Sequence, residues 1–149
     1  MDNIVLVSGY FNPVHVGHID YLDAASKMGD YLVVIVNNDA QVNIKGSKPF
    51  MPLKERLTIV ESLRCVSKAV ASIDKDGSVV ETIKSIWEEF NYPTQTVSSM
   101  SFCNGGDRKH DDIPEYDICE QLGIGLHFNV GGGKTQSSSS LLQKVANET

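Results

Sequence analysis

Apolar and polar positions come in alternating blocks along this chain. Ile4-Val5-Leu6-Val7 is an apolar run short enough for a strand. Residues 19–28 follow with a helical period, Ile19, Leu22 and Ala25 sharing one face. Tyr31-Leu32-Val33-Val34-Ile35-Val36 is unbroken, as in strands of a parallel sheet covered by helices on both faces. Asn37-Asn38-Asp39 opens a loop rich in Lys, Gly and Pro over residues 41–51. Pro52 suits the first turn of a helix whose apolar face is Leu53, Leu57, Val60 and Leu63. Residues 66–73 predict a third strand. Asp74-Lys75-Asp76-Gly77-Ser78 is a turn with capping residues. It leads into Val79, Val80, Ile83, Ile86, Trp87 and Phe90 at helical spacing, and Pro93 stops that helix. Residues 96–103 predict a fourth strand, diluted by Ser98, Ser99 and Ser101. Pro114 starts a helix that Gly123 ends, residues 124–130 form a fifth strand, and Leu141 to Val145 lie in a closing helix.

Strands alternating with helices imply right-handed crossovers and parallel pairing. The expected fold is therefore α/β, a Rossmann-like three-layer domain with a five-stranded parallel sheet, spanning 1–149 as one unit. The length of 149 residues and an apolar fraction of 41% agree with one core. A formal charge of −6 speaks against a nucleic-acid binder or an anionic-membrane binder. Met1-Asp2-Asn3 has no basic leader, and no apolar run approaches the ~18 residues of a membrane span. Cys65, Cys103 and Cys119 lack zinc spacing and read as small buried hydrophobes in a reducing compartment. The expectation is a cytoplasmic protein.

The candidate chemistry lies where the first strand gives way to the first helix. There Ser8-Gly9-Tyr10-Phe11-Asn12-Pro13-Val14-His15-Val16-Gly17-His18 puts Gly9, two histidines and Gly17 at a strand–helix turn. In open α/β sheets this is where backbone N–H groups and the helix dipole meet ligands. Histidines three apart on a helix share a face, and Gly17 between them removes a side chain where a ligand would press on the backbone. Two imidazoles with free N–H groups suit a polyphosphate, and no Ser or Cys nucleophile accompanies them. The plain alternative is a pair of surface histidines beside a helix cap. Zinc fits poorly without a second Cys/His pair. Two familiar phosphate loops are absent. The dinucleotide fingerprint needs three glycines in this turn, and Gly133-Lys134-Thr135 has Phe128 where a Walker A glycine belongs.

Gly9-Tyr10-Phe11-Asn12-Pro13-Val14-His15-Val16-Gly17-His18 resembles the GxFDxxHxGH signature of the cytidylyltransferase-like nucleotidyltransferases. That family includes glycerol-3-phosphate cytidylyltransferase and the heptose-1-phosphate adenylyltransferases. Asn12 stands where the signature has Asp. The Asn-Pro pair is similar to the nicotinate mononucleotide adenylyltransferase branch. Residues 29–39 are similar to the second strand and loop of the heptose and glycerol enzymes. Lys45-Gly46, Lys48-Pro49 and Pro52-Leu53-Lys54-Glu55-Arg56 resemble the heptose type. Asn104-Gly105-Gly106-Asp107-Arg108 is similar to the GGD element after the fourth strand. Gln136-Ser137-Ser138-Ser139-Ser140-Leu141 stands in place of the STT or SST signature, with Lys134 as the nearest basic residue before it.

The resemblance implies transfer of a nucleoside monophosphate from CTP or ATP to a small phosphorylated acceptor, releasing pyrophosphate. By it His15, His18 and Lys45 are catalytic. Gly9, Tyr10, Phe11, Gly17, Gly105, Asp107, Arg108, Gln136, Ser137, Ser138 and Ser139 bind the nucleotide. Lys48 and Arg56 hold the acceptor, Arg56 as a fork on its phosphate. It also implies Mg2+ on the triphosphate, with metal ligands unassigned, and a homodimer. For the loop lysines, solubility is the alternative; for Arg56, it is an exposed ion pair with Glu55 or a nearby Asp.

Overall fold

The computed structural model describes residues 2–92, 99–105, 113–128, 130 and 131. Five strands, β1 (Asn3–Gly9), β2 (Tyr31–Val36), β3 (Lys68–Ala71), β4 (Ser99–Cys103) and β5 (Gly125–His127), form one sheet in the order β3-β2-β1-β4-β5. Every pairing is parallel; Ile4 sits opposite Tyr31 in β2 and Met100 in β4. The helices are α1 (Val16–Ser26), α2 (Asp39–Ile44), α3 (Leu53–Glu61), α4 (Val80–Asn91) and α5 (Tyr116–Leu122).

The period of two along the strands divides the core into two layers. Ile4, Leu6, Val33, Ile35 and Phe102 face Ile83, Ile86 and Cys119 of α4 and α5. Val5, Val7, Val34, Val36 and Cys103 face Leu22 and Ala25 of α1 and Val60 of α3. This is the expected three-layer α/β/α fold. Among the described residues no helix is long and apolar enough to cross a membrane. Cys103 and Cys119 are buried as expected, whereas Cys65 is half-buried.

One element departs from the sequence reading. The Lys-, Gly- and Pro-rich stretch is not all loop, because α2 occupies its first part. Asn38 Oδ1 accepts the Gln41 N–H at 2.9 Å, and Gln41 Oε1 accepts the Asn38 N–H at 3.0 Å, a reciprocal cap that starts a helix without an apolar period. Asn38 Nδ2 also reaches the carbonyls of Ser72 and Asp74, tying the end of β2 to the end of β3. The helix stop predicted at Pro93, the first residues of the predicted fourth strand at 96–98 and the closing helix at 141–145 lie outside the described residues.

The strand order matters for function. From the central β1 the chain runs through β2 and β3 on one side, then returns to β4 and β5 on the other. The strand order therefore reverses between β1 and β4, and the crevice at their carboxyl ends is the ligand position of an open α/β sheet.

Candidate active site

β1 ends at Gly9, and the chain then folds back on itself over three residues. A β-carbon on Gly9 would lie 2.8 Å from Cζ of Phe11, so only glycine leaves room for that ring. Phe11 is 1% exposed and holds φ at +51°, a conformation non-glycine residues adopt only when their surroundings enforce it. Burial of its ring enforces it here. The same ring meets His18 edge-on, with centroids 4.8 Å apart and planes at 62°. The Asn12–Pro13 peptide bond is cis.

His15 is the extended N-cap of α1, and His18 is its third helical residue. The His15 backbone N–H donates to Nδ1 of His18 at 3.2 Å. An Nδ1 that accepts leaves the ring proton on Nε2, so His18 is held in the tautomer that presents Nε2–H as a donor. The two imidazoles stack with centroids 3.8 Å apart and planes 19° from parallel. Val16 and Gly17 supply first-turn N–H groups that have no acceptor inside the helix by position. Imidazoles and amide donors thus converge at the positive end of α1.

Lys45 caps the C-terminus of α2 and lays its Nζ 4.4 Å from the centroid of the Tyr10 ring, a cation–π contact beside the turn. Gly105 lies just past β4, where a β-carbon would touch the Tyr21 ring at 3.4 Å. Tyr21, one turn beyond His18 on α1, donates its hydroxyl to the Cys103 carbonyl at 2.7 Å. A β-carbon on Gly131, whose φ is +84°, would lie 2.9 Å from Tyr21 Cα. Tyr21 is thus a strut between the histidine helix and the end of β4, and burial pushes its phenol well above the ordinary range. Sequence reading missed it; its place three residues after His18 on the same helical face is the available signal. Asn104 Nδ2, beside Gly105, is buried with no hydrogen-bond partner among the described residues. Asp107, Arg108, Gln136, Ser137, Ser138 and Ser139, with Lys134, lie outside the described residues.

Arg56 requires a correction. It is 0% exposed. Its Nε donates to the Met51 carbonyl at 3.0 Å, and Nη1 to the carbonyls of Tyr10 and Asn37, both at 2.7 Å. Nη2 pairs with Asp39 Oδ1 at 2.6 Å. A guanidinium spent on three carbonyls and a carboxylate offers no fork to an acceptor phosphate, and it is not an exposed partner of Glu55 either. Arg56 instead binds together the ends of β1 and β2 and the chain before α3.

Asn12 is 4% exposed and reaches the loop over residues 46–51. Its Nδ2 donates to the Lys48 carbonyl at 2.9 Å, and its Oδ1 accepts the N–H groups of Phe50 at 2.6 Å and Met51 at 3.3 Å. Lys48 itself is exposed. Among the described residues no group of three or more His, Cys, Asp or Glu side chains could hold a metal ion. The donors at the histidine turn are imidazoles, amides and an ammonium, which do not suit the all-oxygen preference of Mg2+. No described residue is therefore assigned to that ion.

Residues 6–117 match the family described as cytidylyltransferase-like. The bifunctional protein HldE of Streptomyces coelicolor is 33% identical over 96% of this chain and 28% of its own length. The FAD synthase of Thermoplasma volcanium is 27% identical over 95% of this chain and 92% of its own. The chain spans about a quarter of the bifunctional relatives it matches, 23% in the Hahella chejuensis protein. Among solved structures, the lipopolysaccharide core biosynthesis protein of Thermoplasma volcanium aligns with a TM-score of 0.66 at 22% identity, covering 89% of this chain and 98% of that one. A bifunctional NMN adenylyltransferase/ADP ribose pyrophosphatase of Francisella tularensis, complexed with AMP and a manganese ion, aligns with a TM-score of 0.66 at 14% identity. That alignment covers 100% of this chain and 43% of the other. The structural likenesses establish the shared fold, and the match over residues 6–117 establishes the lineage. This chain belongs to the cytidylyltransferase-like family of nucleotidyltransferases.

Proposed function

We propose that this chain transfers a nucleoside monophosphate from ATP or CTP to a small phosphorylated acceptor and releases pyrophosphate. The observation that carries the reading is the stacked His15–His18 pair at the start of α1, at the carboxyl end of β1 where the strand order reverses. Such transfers need in-line positioning and charge neutralisation more than covalent chemistry. An oxygen of the acceptor phosphate attacks the α-phosphorus. A bond forms between them, the bond from the α-phosphorus to the bridging oxygen of the β-phosphate breaks, and pyrophosphate leaves with that electron pair.

In this reading Nε2–H of His18, the His15 imidazole and the first-turn amides of Val16 and Gly17 donate to phosphate oxygens as charge moves to the leaving group. Lys45, lifted from the Tyr10 ring, neutralises the triphosphate, and Lys48 meets the acceptor. Gly9, Tyr10, Phe11, Gly17 and Gly105 shape the nucleotide site. Asp107, Arg108, Gln136, Ser137, Ser138 and Ser139 complete it by the family resemblance. Arg56 has no part in acceptor binding.

An FAD synthase that covers nearly the whole chain, and structural neighbours that carry NMN adenylyltransferase in their names, weigh toward ATP. Likeness to the bifunctional HldE proteins supports an adenylyltransferase of the heptose-1-phosphate type as the second reading. Pyrophosphate release measured for four triphosphates against polyol phosphates, sugar phosphates and phosphonates decides between them. A single active pair supports the proposal and names its substrates. Tight nucleotide binding with no pyrophosphate from any pair would point to a non-catalytic nucleotide-binding module.

A further inference from the structure

We propose that Asn12 is a positioning residue, whose carboxamide latches the loop over residues 46–51, and Lys48 with it, to the histidine turn. This rests on the transferase reading above, which gives Lys48 to the acceptor.

The three peptide groups around Asn12 determine its chemistry. They offer one acceptor, the Lys48 carbonyl, and two donors, the N–H groups of Phe50 and Met51. The amide answers both kinds at once, with nitrogen toward Lys48 and oxygen toward Phe50. An ionised carboxylate of the same shape has acceptors alone and would set one oxygen against the Lys48 carbonyl. Asn12 stands where the family signature it resembles has Asp, so the departure has a local reason. At 4% exposure a mismatched polar atom there is largely cut off from solvent and costs accordingly.

Among the described residues, no hydrogen bond other than those to Asn12 holds residues 48–50. Phe50 is 62% exposed, and Lys48 is exposed too, so hydrophobic burial does not hold them. Below the tip, Arg56 donates to the Met51 carbonyl and to the Tyr10 carbonyl, a second tie between the same two segments. The latch begins three residues before His15. It presets the backbone of Lys48 relative to the imidazoles, so acceptor binding has little loop ordering to overcome.

Two measurements test this. Hydrogen exchange at the Phe50 amide needs no substrate: the natural protein should exchange there at least about tenfold more slowly than Asn12→Ala, the scale of one lost hydrogen bond. Steady-state kinetics on an active substrate pair should show Asn12→Asp raising the acceptor KM at least about tenfold, with the triphosphate KM within about threefold of the natural protein. The isosteric variant matters because a space-filling role would leave it unchanged. The proposal is overturned if the Phe50 amide of the natural protein exchanges at the free-peptide rate. It is also overturned if Asn12→Asp matches the natural protein in acceptor KM. Should no substrate pair be active, the transferase reading fails while the exchange arm still decides the latch.

Discussion

His18 takes the backbone N–H of His15 on its Nδ1 at 3.2 Å while stacking on the same residue's imidazole at 3.8 Å. One side chain thus caps the helix and fixes its own tautomer. The two roles separate by mutation. His18→Ala should lower turnover at least ~10²-fold, the cost of one oxyanion-type donor, and lower stability by about 1 kcal/mol, the cost of a cap. His18→Gln carries an oxygen able to accept the His15 N–H, so it should restore the stability measured by thermal melting and leave most of the turnover missing. Full turnover in His18→Gln would assign the residue to capping alone.

Arg56 holds three carbonyls and Asp39 with no exposed surface. Arg56→Met should cost roughly 3 kcal/mol, which is roughly 6–12 °C in melting temperature for a chain of this size. A residue that served the acceptor would raise the acceptor KM and leave the melting temperature alone.

Much of the fold was legible because its signals are periodic. The runs at Ile4–Val7 and Tyr31–Val36 have no helical reading, and they became the two most buried strands. The histidine turn was legible because Gly9, Phe11, His15, Gly17 and His18 each meet a local demand within ten residues. What escaped was tertiary. Nothing near Arg56 in sequence announces that the carbonyls of Tyr10, Asn37 and Met51 converge on it, and an arginine in a first helical turn ordinarily faces solvent. α2 escaped because six residues with a polar cap leave no apolar stripe. Asn12 could be seen as a departure, but its role depends on a loop 36 residues away. The Gly-Gly-Asp aspartate and the serine run were legible only through the family resemblance.

A β-carbon at position 9 would stand 2.8 and 2.9 Å from two atoms of the Phe11 ring. Gly9→Ala should therefore displace Phe11, costing about 1–3 kcal/mol as an overpacked site. Because the ring also supports His18, turnover should fall up to about a hundredfold, the scale of a misplaced catalytic group. Chemical denaturation and steady-state rates check the two effects. A fall in stability with unchanged turnover would detach Phe11 from the site.

Burial pushes the Cys103 thiol up to about 11 and, with Glu115 adding to it, the Cys119 thiol up to about 12. Both values lie above the ordinary thiol range near about 8.5. The folded chain therefore keeps these protons longer than the unfolded chain. The stability they confer is whole below about pH 8.5 and declines as pH rises toward 11 and 12. Urea unfolding at pH 8, about 9.5 and about 10.5 should show this decline, shallower in Cys119→Ala. Parallel declines in the two proteins would remove Cys119 from the account.

The fate of the α-phosphate tests the transferase reading most directly. ATP or CTP labelled at the α-phosphorus, incubated with Mg2+ and the acceptor that gives pyrophosphate release, should transfer its label to the acceptor with one pyrophosphate per labelled product. His15→Ala and His18→Ala should each form that product at least ~10²-fold more slowly. Label recovered as free nucleoside monophosphate, or retained in the triphosphate while the nucleotide binds, would contradict it.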